Sequence, residues 1–65
     1  MKLQLNGAPV DAQVNTLAEL LIGEGFGDAK VATAVNGAFV PISLRADHDL
    51  NEGDTIEVLA PMQGG

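Results

Sequence analysis

Apolar and polar residues alternate from the first positions of the chain. In "MKLQLNGAPVDAQV" (1–14), Leu3, Leu5, Val10, Ala12 and Val14 are placed to face inward, with Lys2, Gln4, Asp11 and Gln13 outward. Asn6-Gly7 separates the two halves. Both central residues of a type I′ turn need positive φ, and Asn-Gly meets that need at least cost. Residues 1–14 therefore read as a β-hairpin. The period then lengthens. Leu17, Leu20 and Leu21 recur at i, i+3 and i+4, and Ala18 and Ile22 widen the stripe. Thr16 and Glu19 have capping-box spacing, so the hydroxyl accepts from the third helical amide and the carboxylate reaches back. Gly23, Gly25 and Gly27 follow and are read as the helix stop, because glycine carries no Cβ penalty in the left-handed C′ position. A short helix is expected at about 17–24.

"KVATAVNGAFVPIS" (30–43) is a second strand-turn-strand, again around Asn-Gly, at Asn36-Gly37. "LNGAPV" and "VNGAFV" are similar. They are the same turn chemistry used twice, since the helix has no second copy and a tandem repeat needs a shared period. "LRADHDLNEGDTIEVLAP" (44–61) begins polar and ends as a strand, after a turn cluster at Asn51–Asp54. In that strand Ile56, Val58 and Ala60 alternate with Thr55, Glu57 and Leu59, so Leu59 is expected to share the solvent side with Glu57. Pro61 is expected to end it. The order β-β-α-β-β-β is an α+β arrangement, a mixed sheet of four to five strands with one helix packed across one face. The first and last strands are the most apolar, so they are placed centrally and side by side. That is the layout of a β-grasp, or ubiquitin-like, fold. Residues 1–60 are expected to form its single domain and 61–65 a flexible, functional tail.

Composition narrows the function. Sixty-five residues without cysteine make one domain with no disulfide or thiolate metal site. At 46% hydrophobic, the chain has enough apolar matter for an economical core. Nine acidic residues against three basic ones, Lys2, Lys30 and Arg45, give a net charge of −6. That argues against nucleic acid and anionic membrane as partners and suits a basic docking face. With only Phe39 and Phe26 aromatic, no base-stacking surface is expected. No leader or membrane-spanning run is evident, and a cytoplasmic location is expected.

The candidate motifs for chemistry fail on spacing. Asp47, Asp49 and Asn51 begin like a calcium loop, but the sixth position is Glu52 where glycine is needed and the twelfth is Val58 where a bidentate acid is needed. "GEGFG" (23–27) follows a helix, whereas a phosphate loop follows a strand and opens a helix. His48 is the sole histidine, read as an exposed loop residue with no partner for a metal site or dyad. No serine, threonine or lysine has an evident activating base. No enzyme active site, bound cofactor or metal is expected.

The chain ends "APMQGG" (60–65). From Pro61 the five residues span roughly 17 Å when extended, enough to enter a deep pocket on another protein. A terminal carboxylate, with an ordinary pKa of about 3.5, is a poor electrophile and must be activated, for example as an acyl-adenylate. Glycine at the last two positions permits close backbone approach in a narrow channel. A carrier that works through its activated end, a ubiquitin-like modifier and a passive binding module all remain open on this reading.

"AVNGAFVPISLRADHDLNEGDTIEVLAPMQGG" (34–65) closely resembles the C-terminal half of the ThiS family, the sulfur carriers of thiamine biosynthesis. The "VNG.FVP", "L.EGD.IEV" and "PMQGG" segments all match, and the "LNG" hairpin and "TLAELL" helix are similar but less specific. The resemblance implies that an E1-like enzyme, using ATP, adenylates the carboxylate of Gly65. A sulfur relay, often fed by a cysteine desulfurase, converts it to a thiocarboxylate, and thiazole synthase takes up the sulfur. Gly64 is then the slim neighbour, and Pro61, Met62 and Gln63 direct the tail and contact the partner. Leu59, joined by Phe39, forms a candidate docking patch. The length and "PMQGG" favour thiamine over molybdopterin or amino-acid pathways. The carrier is expected to be a monomer when free.

Overall fold

The computed structural model describes residues 1–27 and 29–60. Its two Asn-Gly pairs turn the chain as their chemistry requires. Asn6 and Asn36 both adopt φ 51°, and Gly7 and Gly37 follow at 83° and 85°. Each pair closes a hairpin: β1 (Lys2–Leu5) with β2 (Ala8–Asp11), and β3 (Ala32–Val35) with β4 (Ala38–Val40). The last strand, β5 (Thr55–Leu59), lies between the hairpins, parallel to β1 and antiparallel to β3. The five-stranded order is β2-β1-β5-β3-β4. The first and last strands are thus interior neighbours, as expected. Pro9, which has no amide hydrogen to donate, sits in β2 at an edge.

Helix α1 runs over Leu17–Gly23, between β2 and β3. Thr16 Oγ1 accepts from the Glu19 amide at 3.3 Å, and Glu19 Oε1 accepts from the Asn15 amide at 2.7 Å. The box therefore closes one residue further out than the usual reciprocal pair. At the other end Glu24 is the C-cap. Gly25 takes φ 89°, the Phe26 amide donates to the Leu21 carbonyl, and the Gly25 amide donates to the Ile22 carbonyl. This is a Schellman stop. Of the glycines expected to end the helix, only Gly25 needs a left-handed conformation; Gly23 is the last helical residue.

Leu17, Leu20 and Leu21 from α1 join Leu3, Val31, Val35, Val40, Leu50, Ile56 and Val58 in one buried cluster. Leu5, Val10, Ala12, Val14 and Phe26 pack against it, half-buried. Fully burying a leucine or isoleucine contributes about 1.5–3 kcal/mol, so a chain of this size depends on nearly every member. No helix among the described residues is long and apolar enough to cross a membrane.

Four details differ from the sequence expectations. Strand β2 stops at Asp11, although the Ala12 amide still donates to the Met1 carbonyl. A 3-10 helix, Ile42–Asp47, takes the last two residues of the expected second strand-turn-strand and the start of the polar stretch after it. His48 is half-buried where an exposed side chain was expected; it caps that helix, and its carbonyl accepts from the Leu17 amide. Ala60, expected to face inward, is exposed and lies beyond the last residue of β5.

Candidate functional site

Strand β5 precedes residues 61–65, the expected tail, and its two faces differ sharply. Ile56 and Val58 are buried, whereas Thr55, Glu57 and Leu59 are exposed. Leu59 is opposite Ala32 in β3, while Glu57 and Phe39 flank Ala34 from the two sides. Strand neighbours opposite one another share a face. Leu59 and Phe39 therefore stand on the same outer face, with the small residues Ala32 and Ala34 between them. Leu59 is 65% exposed and Phe39 69%. The expected pair is brought together.

Ile42 extends this surface and was not expected. It is 72% exposed, at the start of the 3-10 helix. One shallow concavity has Ala32, Phe39, Pro41 and Ile42 in its lining, with Arg45 and Ser43, and its neighbour has Ala32, Ile42, Leu59 and Ala60, with Lys30. Val31, Ala32 and Ile42 join them, so largely apolar surface runs from Phe39 to the last described residue. The signal was present in "FVPIS" (39–43): Pro41 favours a change of direction, after which strand alternation no longer assigns Ile42 a side.

Beneath the rim lies the residue that sequence reasoning missed most completely. Arg45 is buried, although it stands in a polar stretch. Its Nε donates to Thr33 Oγ1 at 2.9 Å, and its guanidinium also donates to the Val31 carbonyl. Thr33 Oγ1 in turn donates to the Val40 carbonyl at 2.8 Å. This chain of bonds ties the 3-10 helix to β3 and β4, the strands that carry Ala32 and Phe39. Thr33 gave a hint, since it occupies an inward position between Val31 and Val35 and needs a buried partner.

The turn preceding β5 is fixed by Asp54. One carboxylate oxygen accepts from Asn36 Nδ2 at 3.0 Å and the other from the Asn51 amide at 2.9 Å. The Asn36 bond first, then the Asn51 bond, holds its pKa below the ordinary 3.8; the charge of His48 adds to this, and partial burial opposes it. Asp47, Asp49 and Asn51 thus belong to backbone structure: Asp47 ends the 3-10 helix, Asp49 makes an isolated antiparallel β-bridge with Thr16, and Asn51 closes the Asp54 turn.

Pro61, Met62, Gln63, Gly64 and Gly65, the expected tail, lie outside the described residues. The structure places its root at the apolar end of β5.

Comparison with known proteins adds the following. The ThiS family profile matches residues 3–65. A thiazole synthase of Magnetococcus marinus is 42% identical over the whole of this chain, and one of Paramagnetospirillum magneticum is 38% identical. The chain spans about a fifth of the length of these curated relatives, 20% of each. A crystal structure of the thiamine biosynthesis protein ThiS from Geobacter metallireducens superposes with a TM-score of 0.85 at 28% identity, covering all of both chains.

Proposed function

The chain belongs to the ThiS family, and from that premise we propose that it carries sulfur for thiamine biosynthesis on the carboxyl of Gly65. The observation that carries this reading is the extent of the family match, which runs through Gly64 to Gly65. The match thus includes the segment whose composition suits a channel, and the chain has no cysteine to hold sulfur elsewhere.

In this reading the carrier is a co-substrate of other enzymes. The Gly65 carboxylate attacks the α-phosphorus of ATP on an E1-like enzyme, pyrophosphate leaves, and an acyl-adenylate forms. The outer sulfur of a relay persulfide, fed for example by a cysteine desulfurase, attacks the acyl carbon and displaces AMP, and a second thiol of the relay then reduces the resulting acyl disulfide, leaving a thiocarboxylate on Gly65 and a disulfide on the relay. Thiazole synthase is the proposed acceptor. Two relatives of that name each contain a region similar to this entire chain, which supports that pairing. The route requires a free α-carboxyl at Gly65. Residues 61–65 are the proposed functional tail, with Pro61, Met62 and Gln63 directing it and Gly64 leaving room in the channel. Phe39, Ile42 and Leu59 form the face that docks on the activating enzyme. The excess of acid over base, with Arg45 drawn inside, suits a basic rim on that partner.

Deleting Gly65 tests the assignment. Among the described residues the ten buried hydrophobic side chains lie between Leu3 and Val58, and the last residue of a chain ordinarily contributes few contacts, so the melting temperature is expected to stay nearly unchanged while sulfur loading is lost. A variant lacking Gly65 that still supports thiazole formation contradicts the proposal.

A further inference from the structure

The ladder between β1 and β5 is short. Its register pairs Gln4 with Thr55 and Leu5 with Ile56, and then β1 enters its turn. The Asn6 amide makes the last backbone bond, to the Ile56 carbonyl at 2.9 Å. In a parallel ladder the next bond runs from the Val58 amide to the backbone carbonyl of Asn6. Here the side chain takes that place. Asn6 Oδ1 accepts from the Val58 amide at 2.8 Å, and Asn6 Nδ2 donates to the Val58 carbonyl at 3.2 Å. Both groups of Val58 are therefore satisfied by one side-chain amide in a part-buried setting. On the opposite side β3 runs alongside as far as Leu59. Val58 stands three positions before Pro61.

Asn36 makes a parallel arrangement at the other end of the same strand. Its amide donates to the Thr55 carbonyl, its Oδ1 accepts from the Thr55 amide at 3.0 Å, and its Nδ2 donates to Asp54 Oδ1. The two asparagines share φ 51° and a following glycine. One holds the start of β5 and the other holds its end.

We infer that Asn6 is a positioning residue for the carrier reaction: its side-chain amide fixes the end of β5 and so the direction in which the tail leaves the sheet. The inference rests on the proposed carrier function. A tail that must thread a narrow channel gains from a rigid root, because a displacement of about 1 Å at the reacting group can cost on the order of a hundredfold in rate. The hydrogen bonds from Asn36 act on the far end of the strand and do not bear on that direction.

The matched substitutions Asn6→Gly and Asn36→Gly test it, since glycine keeps each positive-φ turn, removes the side-chain bonds, and adds the same backbone freedom at both sites. Both are assayed in the full chain with the E1-like enzyme from the same cells, by ATP–pyrophosphate exchange and by alkylation of thiocarboxylate at Gly65. The melting temperatures are expected to fall by similar amounts. Asn6→Gly is expected to speed hydrogen exchange at the Val58 amide and lower kcat about tenfold, with KM for the carrier changed less than about twofold. Asn36→Gly is expected to stay near wild type in both constants. If Asn6→Gly folds poorly, Asn6→Asp keeps the acceptor, places a charge against the Val58 carbonyl, and is expected to lower kcat in the same way. Equal kcat values for the Asn6 and Asn36 variants, or a loss in KM alone, overturn the positioning role. A wild-type chain that never carries sulfur overturns the carrier reading and this role with it; exchange at Val58 then still reports whether Asn6 holds the strand.

Discussion

At the scale of single residues, Thr33 and Arg45 show how a polar pair can be structural. A buried hydroxyl or guanidinium is costly without partners, and this pair uses each other and two main-chain carbonyls. Thr33→Val keeps the shape but leaves Arg45 Nε and the Val40 carbonyl without the hydroxyl. It is expected to cost about 1–3 kcal/mol, read as a lower urea midpoint at unchanged slope. A variant as stable as wild type would show that solvent replaces the hydroxyl. Little of this was legible in the sequence, because "SLRADHDL" (43–50) has the polarity of a loop, and burial of an arginine depends on partners that only the tertiary fold brings near. Asn6 and Asn36 are the opposite case. Their positive φ followed from the Asn-Gly pairs alone, whereas their side-chain bonds to β5 depend on a strand up to 52 positions away.

At the scale of elements, β5 assigns inner and outer roles by alternation. Ile56 and Val58 anchor the sheet, and Leu59 is left facing out beside Ala32. Leu59→Asp is expected to leave the melting temperature nearly unchanged, since exposed substitutions rarely exceed about 0.5 kcal/mol. It should weaken binding to the proposed activating enzyme about tenfold, because it places a charge in the apolar face proposed to dock there. Unchanged affinity by calorimetry would remove Leu59 from that face. Both hairpins, the helix and β5 were legible because their periods and punctuation are strong. The 3-10 helix was not, since six residues, Ile42–Asp47, give too few turns for a period and its exposed Ile42 and Leu44 invert the usual pattern. The termini of α1 and β2 shifted slightly because fraying and capping set them more than hydrophobicity does.

At the scale of the whole molecule, the sheet order carries the chain along an interior strand, held on both sides, as far as Ala60 at the edge of the exposed apolar face. The side-by-side placement of β1 and β5 matches the expectation, although strand composition alone does not set it: β1, KLQL, is half polar, while AFV of the edge strand β4 is wholly apolar. The extension of the face to Ile42 was not legible, since it is created where β4 and the 3-10 helix meet. The fold also carries an acid sensitivity. Asp54 has a lowered pKa in the folded state, so its contribution is fully present above the ordinary 3.8 and is lost as pH falls through the lower folded value. Asp54→Asn is expected to flatten that part of the stability profile, measured as urea midpoints from neutral pH downward; an unaltered acid slope would contradict it. The central claim, that Gly65 carries sulfur, is tested most directly on protein isolated from its native cells while they make thiamine. The protein is treated with a thiol alkylator at neutral pH and fragmented in the mass spectrometer. The chain has no cysteine, so alkylation reports a thiocarboxylate, which mass alone confuses with oxidation of Met1 or Met62. Label located on Gly65 is the predicted result. An unlabelled chain with an ordinary carboxyl at Gly65, or a Gly65 joined to further residues or to a lysine of another protein, would contradict the account.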